Sequence, residues 1–147
     1  MKRKLLVSLS IVVLLFASCS ETDDLPLVNE ANVVSKMTSG NWKVTKFIYQ
    51  NTTKTADYNG VLFDFDAISV MLSNTGTVPV AGSWAVFNEG FDNDPDLVFT
   101  LALTSAEPRF TNISDDWYIV ESTSTKLKLE DENPSTGDID YLVFEKN

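Results

Sequence analysis

From Trp42 onward the large apolar residues of this chain recur at every second position, and that period confines it to β-structure. The clearest run is Leu97, Phe99, Leu101 and Leu103, alternating with Val98, Thr100 and Ala102. Successive side chains on a strand point to opposite faces, so such a run describes a strand with one face buried. Shorter runs of the same kind occupy 42–49, 61–65, 68–72, 82–86, 117–121, 126–130 and 141–145. Asn59-Gly60, Asn74-Thr75-Gly76 and residues 134–138 carry turn chemistry between them. Pro79 lacks a ladder donor, so Val78-Pro79-Val80 can only be an edge, a strand start or a bulge.

Two segments break the rhythm. Leu27, Ala31, Val34 and Met37 recur at helical spacing, with Asn29 as a cap and Gly40 as a stop, which predicts a short helix over 29–39. Residues 105–116 read as a connection with one helical turn around Phe110. The stretch ending at Asn59-Gly60 reads as a polar loop, and 88–96 as a nine-residue loop with four acids. Eight or nine short strands without crossover helices imply an antiparallel sandwich or barrel rather than a parallel sheet. Trp42, Phe63, Phe65, Trp84, Leu97, Phe99, Leu101, Trp117, Leu127, Leu129, Leu142 and Phe144 are expected to line one face.

The first residues give an address. Lys2-Arg3-Lys4 precedes an apolar run over 5–17, followed by Ser18 and the single cysteine, Cys19. Thirteen apolar-run residues suit a signal-peptide core, whereas spanning a bilayer takes about 20. The segment resembles the lipobox of bacterial lipoproteins, with Phe16 where Leu is usual. The resemblance implies cleavage before Cys19, acylation of its thiol and new amino group with fatty chains such as palmitate, and a permanent membrane anchor. Each buried methylene of those chains contributes about 0.8 kcal/mol. Ser20 beside the cysteine resembles the sorting pattern for the outer membrane. The acids Glu21, Asp23 and Asp24 resemble a surface-export signal and equally suit a solvated tether, so the periplasmic and cell-surface faces both stay open. The expected organisation is a signal peptide over 1–18, an anchor and tether over 19–28 and one β domain over 29–147.

Composition narrows the chemistry. Residues 19–147 retain eight basic residues against 21 acids, a net charge of −13. Such a chain is not expected to bind nucleic acid or anionic lipid by charge, because both are polyanions. Histidine is absent, and with it the usual general base and the commonest transition-metal ligand. Without a cysteine beyond Cys19 the normal ligands of zinc, haem and iron–sulfur sites are missing too. No Ser-His-Asp or Cys-His mechanism can be assembled from this chain alone.

Ser39-Gly40-Asn41-Trp42 resembles the opening Gly-x-Trp of lipocalin-like proteins, and Gly82-Ser83-Trp84 the mid-chain Gly-Thr-Trp of bacterial lipocalin-like lipoproteins. The run from Leu97 to Leu103, then Pro108, Phe110 and Ile113, then Asp116-Trp117-Tyr118-Ile119-Val120, is similar to the second half of that family. So are Lys126-Leu127-Lys128-Leu129 and Leu142-Val143-Phe144-Glu145-Lys146. The similarity spans about 39–146. It implies an all-β fold: a small up-and-down antiparallel barrel of about eight strands behind a short N-terminal helix. Activity does not follow from such a fold.

The expected function is therefore non-enzymatic. Either the barrel binds a small apolar or amphipathic molecule at the cell envelope, or it is filled and serves structural contacts with another envelope protein. In the first case Trp42, Phe65, Trp84, Phe99 and Trp117 are the expected ligand contacts; in both, Cys19 is the lipid attachment point. No cofactor or metal is expected. Asp92, Asp94 and Asp96 have the spacing that opens a calcium loop, but Leu97 and Leu103 stand where that loop needs Gly and Glu. Asp64 and Asp66 flank Phe65 and are expected to share the outward face of a strand, not a cleft. The sequons at Asn51 and Asn112 read as chance matches in a bacterial export context.

Overall fold

The computed structural model describes residues 29–76, 78–90 and 96–147. The leader, Cys19, the tether, Leu27, Asp92 and Asp94 lie outside the described residues.

The chain opens with helix α1, Glu30–Met37. Asn29 caps it as its sequence position suggests: its side chain accepts from the Asn32 backbone N–H at 2.9 Å. Gly40 turns the chain with a φ of +116°, a conformation that side chains disfavour. The buried face of α1 differs from the expected one. Val33 and Met37 are buried and Val34 half-buried, while Ala31 is exposed. The helix is short and lies across a rounded barrel end, so tertiary contact rather than periodicity sets its rotation.

Nine strands follow. β1 is Asn41–Tyr49, β2 Thr52–Thr53, β3 Leu62–Phe65, β4 Ser69–Ser73 and β5 Val80–Asn88. β6 is Leu97–Leu103, β7 Asp116–Ser122, β8 Lys126–Glu132 and β9 Ile139–Lys146. All pairings are antiparallel, in the order β2-β1-β3-β4-β5-β6-β7-β8-β9, and β9 pairs back onto β1 to close an eight-stranded up-and-down barrel. β2 is a two-residue spur on β1. Closure removes the free edges that an open sheet would expose.

Several boundaries follow from local chemistry. Pro79 stands immediately before β5, where its missing donor costs nothing. β5 starts at Val80, two residues ahead of the expected Gly82. Ile68 precedes β4 and is exposed, and Asp66 belongs to the β3–β4 turn rather than to a strand face shared with Asp64. Gly82 faces the β6 backbone so closely that a Cβ would collide with the Ala102 carbonyl and with Leu103. This is the physical demand behind Gly82-Ser83-Trp84.

The stretch read as a polar loop holds real structure. Gln50 and Asn51 both take positive φ, the geometry of a two-residue hairpin turn between β1 and β2. A 3-10 turn, Thr55–Tyr58, then buries Tyr58. β3 pairs with β1 only through Asn41 and Trp42, so the upper edge of β1 needs other partners. Lys54 N–H donates to the Phe47 carbonyl at 2.8 Å, and Thr55 Oγ1 accepts from Phe47 N–H at 2.9 Å. The helical turn expected near Phe110 is helix α2, Pro108–Ile113.

All twelve residues expected to line one face are buried, and they form a single core. Up-and-down topology defines its two ends. α1 covers the end where β1 begins and β9 finishes, placing Val33 and Met37 in the core. The 3-10 turn and α2 cover the other, placing Tyr58, Phe110 and Ile113 there.

Candidate functional site

The interior positions form two groups. Phe65, Trp84 and Phe99 meet one another: ring centroids are 5.2 Å apart for Phe65–Trp84, 5.9 Å for Phe65–Phe99 and 5.6 Å for Trp84–Phe99. Phe144 crosses this group at 5.8 Å from Phe65 and 5.1 Å from Phe63. Trp117 belongs to the other group, 6.2 Å from Phe47, which in turn stacks edge-on against Tyr58 at 5.4 Å. Trp42 sits below α1, under the Lys146 ammonium at 5.7 Å. Edge-on and offset contacts at these spacings are the favourable geometries for aromatic pairs.

Each indole N–H is already used. Trp42 Nε1 donates to the Met37 carbonyl at 2.9 Å, Trp84 Nε1 to Asp66 at 2.8 Å and Trp117 Nε1 to Ile113 at 3.1 Å. In each case the acceptor is a backbone carbonyl, two of them at helix C-termini. Trp42 thus fastens α1 to the barrel, and Trp117 fastens α2. Among the described residues no buried side-chain polar atom lacks a partner.

The α2 end is clamped by Arg109. Its guanidinium donates to the Asp57 carbonyl at 3.2 Å and the Thr75 carbonyl at 2.6 Å, and pairs with Glu107 at 2.9 Å. Tyr58 donates its hydroxyl proton to the Arg109 carbonyl. Burial, reinforced by the charge of Asp57, pushes the Tyr58 phenol well above its ordinary value, so it stays a proton donor.

At the same rim Asp131 and Asp140 face each other across β8 and β9, on the inward register. Asp140 is buried and accepts from the Gln50 N–H at 2.7 Å. Asp131 titrates above the usual carboxylate range, first because of burial, then because of the charges of Asp115 and Asp140. Among the described residues no three acidic side chains converge as a metal site.

Two features of the outer wall went unread in the sequence. The first is a groove of about 420 Å³ along Asn41, Asp64 and Met71, beside the β4–β5 turn. The second is a row set by strand register. Phe87 of β5, Val98 of β6 and Tyr118 of β7 are cross-strand partners, and all three point outward. Val98 is only 2% exposed although it lies outside the barrel, whereas Phe87 and Tyr118 are 36% and 48% exposed. A bulge in β7 between Ile119 and Glu121 presents Val120 beside them, 52% exposed. Alternation puts Val98 on the outward parity of β6, but only register sets it between Phe87 and Tyr118.

Compared with known proteins, the chain matches no family model and no curated protein.

Proposed function

We propose that this chain is a lipid-anchored envelope protein, non-enzymatic, that works by presenting the outer wall of a filled barrel to another protein. The observation that carries this reading is the interior packing. Phe65, Trp84 and Phe99, the side chains best placed to touch an enclosed ligand, touch each other instead, with Phe144 across them. The core also runs continuously from α1 at one end to α2 at the other. A ligand would have to displace rings already in favourable contact, losing dispersion energy before gaining any. An eight-stranded barrel lies near the size at which side chains alone can fill the lumen. A barrel of this size can also hold one small apolar or amphipathic ligand, and the ring contacts leave that reading second.

The anchor rests on the sequence around Cys19, and the resemblance to lipocalin-like lipoproteins on the motifs quoted above, to which the barrel architecture conforms. Outer-membrane placement, on either face, belongs to the same proposal. Two measurements test it. Metabolic labelling with an alkyne fatty acid should mark the wild type and not Cys19→Ala; equal labelling removes the anchor. Native mass spectrometry of protein purified from its host should give the acylated chain without a retained small molecule. A stoichiometric small molecule retained in the spectrum would restore the ligand reading and overturn this one.

A further inference from the structure

We propose that the outer wall formed by Phe87, Val98, Tyr118 and Val120 is the docking surface, and that it receives a cationic segment of a protein partner bearing apolar side chains. The inference rests on the partner reading above and names the wall and the chemistry of what sits there.

Three observations support it. First, the apolar residues are neighbours in register: Phe87 and Tyr118 flank Val98, which is itself covered at 2% exposure, and the β7 bulge adds Val120, so Phe87, Tyr118 and Val120 are the side chains a partner can reach. The bulge also thrusts Val120 out of a ladder in which Ile119 on one side of it pairs inward with Leu129. Exposed apolar residues scattered singly need no explanation, but a continuous row with a polar border does. Second, the border is acidic. Glu89 Oε2 lies 3.5 Å from the Tyr118 hydroxyl, and the phenol titrates above its ordinary value, first through the charge of Glu89, with a smaller contribution from Asp96 on the same side. Glu130 pairs with Tyr118 on the next strand, and Glu121 follows the bulge. Third, the three strands of the wall carry no cation of their own. None of β5, β6 and β7 contains a Lys or Arg. Lys43 and Lys46 lie on β1, where Lys46 sits 4.5 Å above the Tyr141 ring; on β8 Lys126 pairs with Glu145 at 3.7 Å, and Lys128 stands at the edge of the wall opposite Glu121.

An apolar strip bordered by one sign of charge recruits a ligand that is apolar in the middle and of opposite sign at its edges. Charge steers and selects it, and burial of the aromatic row holds it. A second copy docking its lysine-bearing side here would form a head-to-tail contact, which gives rings or open chains rather than the two-fold pair that most homo-oligomers form. The wall therefore fits a different protein better.

The test is site-specific photo-crosslinking in the native host with the full chain. The photoreactive residue replaces Val120, Ser69 on β4 or Lys43 on β1, one wall at a time, with thermal unfolding of each variant confirming the fold. The expected result is an adduct from position 120 whose cross-linked peptide, identified by mass spectrometry, carries an excess of Lys and Arg around apolar residues. Its yield should fall about tenfold when Glu89→Lys and Glu121→Lys are combined, in keeping with the loss of opposing charge. Protein adducts confined to position 69 or 43 would overturn this wall and leave the partner reading standing. Adducts to protein at none of the three would overturn both. An adduct to a second copy, to lipid or to an acidic peptide would overturn the assignment of the occupant.

Discussion

The two faces of the β5–β6–β7 wall are built from neighbouring residues and have opposite fates. Phe99 and Trp117 are cross-strand partners pointing in; Val98 and Tyr118, one residue away on each strand, are partners pointing out. The inward pair is sealed in a core of rings, with the indole N–H already bonded. The outward pair lies off the lumen: Val98 is covered on the outer face at 2% exposure, and Tyr118 beside it is half open to solvent at 48%. Hydrophobicity alone therefore does not say what a residue is for here. Inward, it holds the barrel together. Outward, it forms a row across three strands with acidic side chains beside it.

If that division is right, stability should follow the face and not the residue type. The largest loss should come from Phe99→Ala, which empties the space between Phe65, Trp84 and Phe144; about 3–5 kcal/mol is expected by chemical denaturation. A loss below about 1 kcal/mol would mean that the lumen is loosely filled and would reopen the ligand reading. Gly82→Ala tests the one place where β5 and β6 leave no room for a methyl group. Overpacking there should cost about 1–3 kcal/mol and shift the thermal midpoint accordingly. Arg109→Ala removes the clamp between α2, the 3-10 turn and the β4–β5 turn. Two carbonyl partners are lost, so about 1–2 kcal/mol should go, with proteolysis near residues 104–115 rising first.

The remaining two effects are small. Asp131→Asn should raise stability at neutral pH, by about 0.5 kcal/mol as for like charges directly opposed on a sheet. The Asp131 pKa is higher folded than unfolded, so folding disfavours its charged form. That penalty is fully present above the folded pKa and fades as pH falls toward the ordinary aspartate range. The gain from Asp131→Asn should therefore vanish in acid, and a gain that persists there would refute the cause given. Val120→Lys, on the outer face, should change stability by less than about 0.5 kcal/mol. A loss comparable to Phe99→Ala would show that the outer row is structural and would dissolve the distinction between the faces.

Most of the barrel was legible in the chain because the two-residue period survives in nearly every strand. Trp42, Phe63, Phe65 and the other alternating positions were assigned to the core from spacing alone, and all are buried. Legibility failed where local pattern and tertiary demand part. Residues 50–60 look polar, yet Tyr58 is driven inward because the barrel needs a plug where β3 leaves β1. α1 shows Val33 to the core rather than Ala31, since eight residues are too few for periodicity to overrule the shape they lie on. The outer row was invisible for a related reason: no single strand contains it, and register alone assembles Phe87, Val98 and Tyr118.

What the sequence determined by itself is the parity of each strand, hence which side chains can face inward, and the turns that let the strands return. Those are local properties, set by alternation and by residues such as Gly40, Gly82 and Asn51 that permit special backbone geometry or close approach. Only the tertiary structure decided that β9 returns to β1, that helices stopper both ends and that the rings meet across the lumen. Those outcomes depend on how much volume a closed wall encloses and on which strands become neighbours, and neither quantity is carried by any one segment of chain.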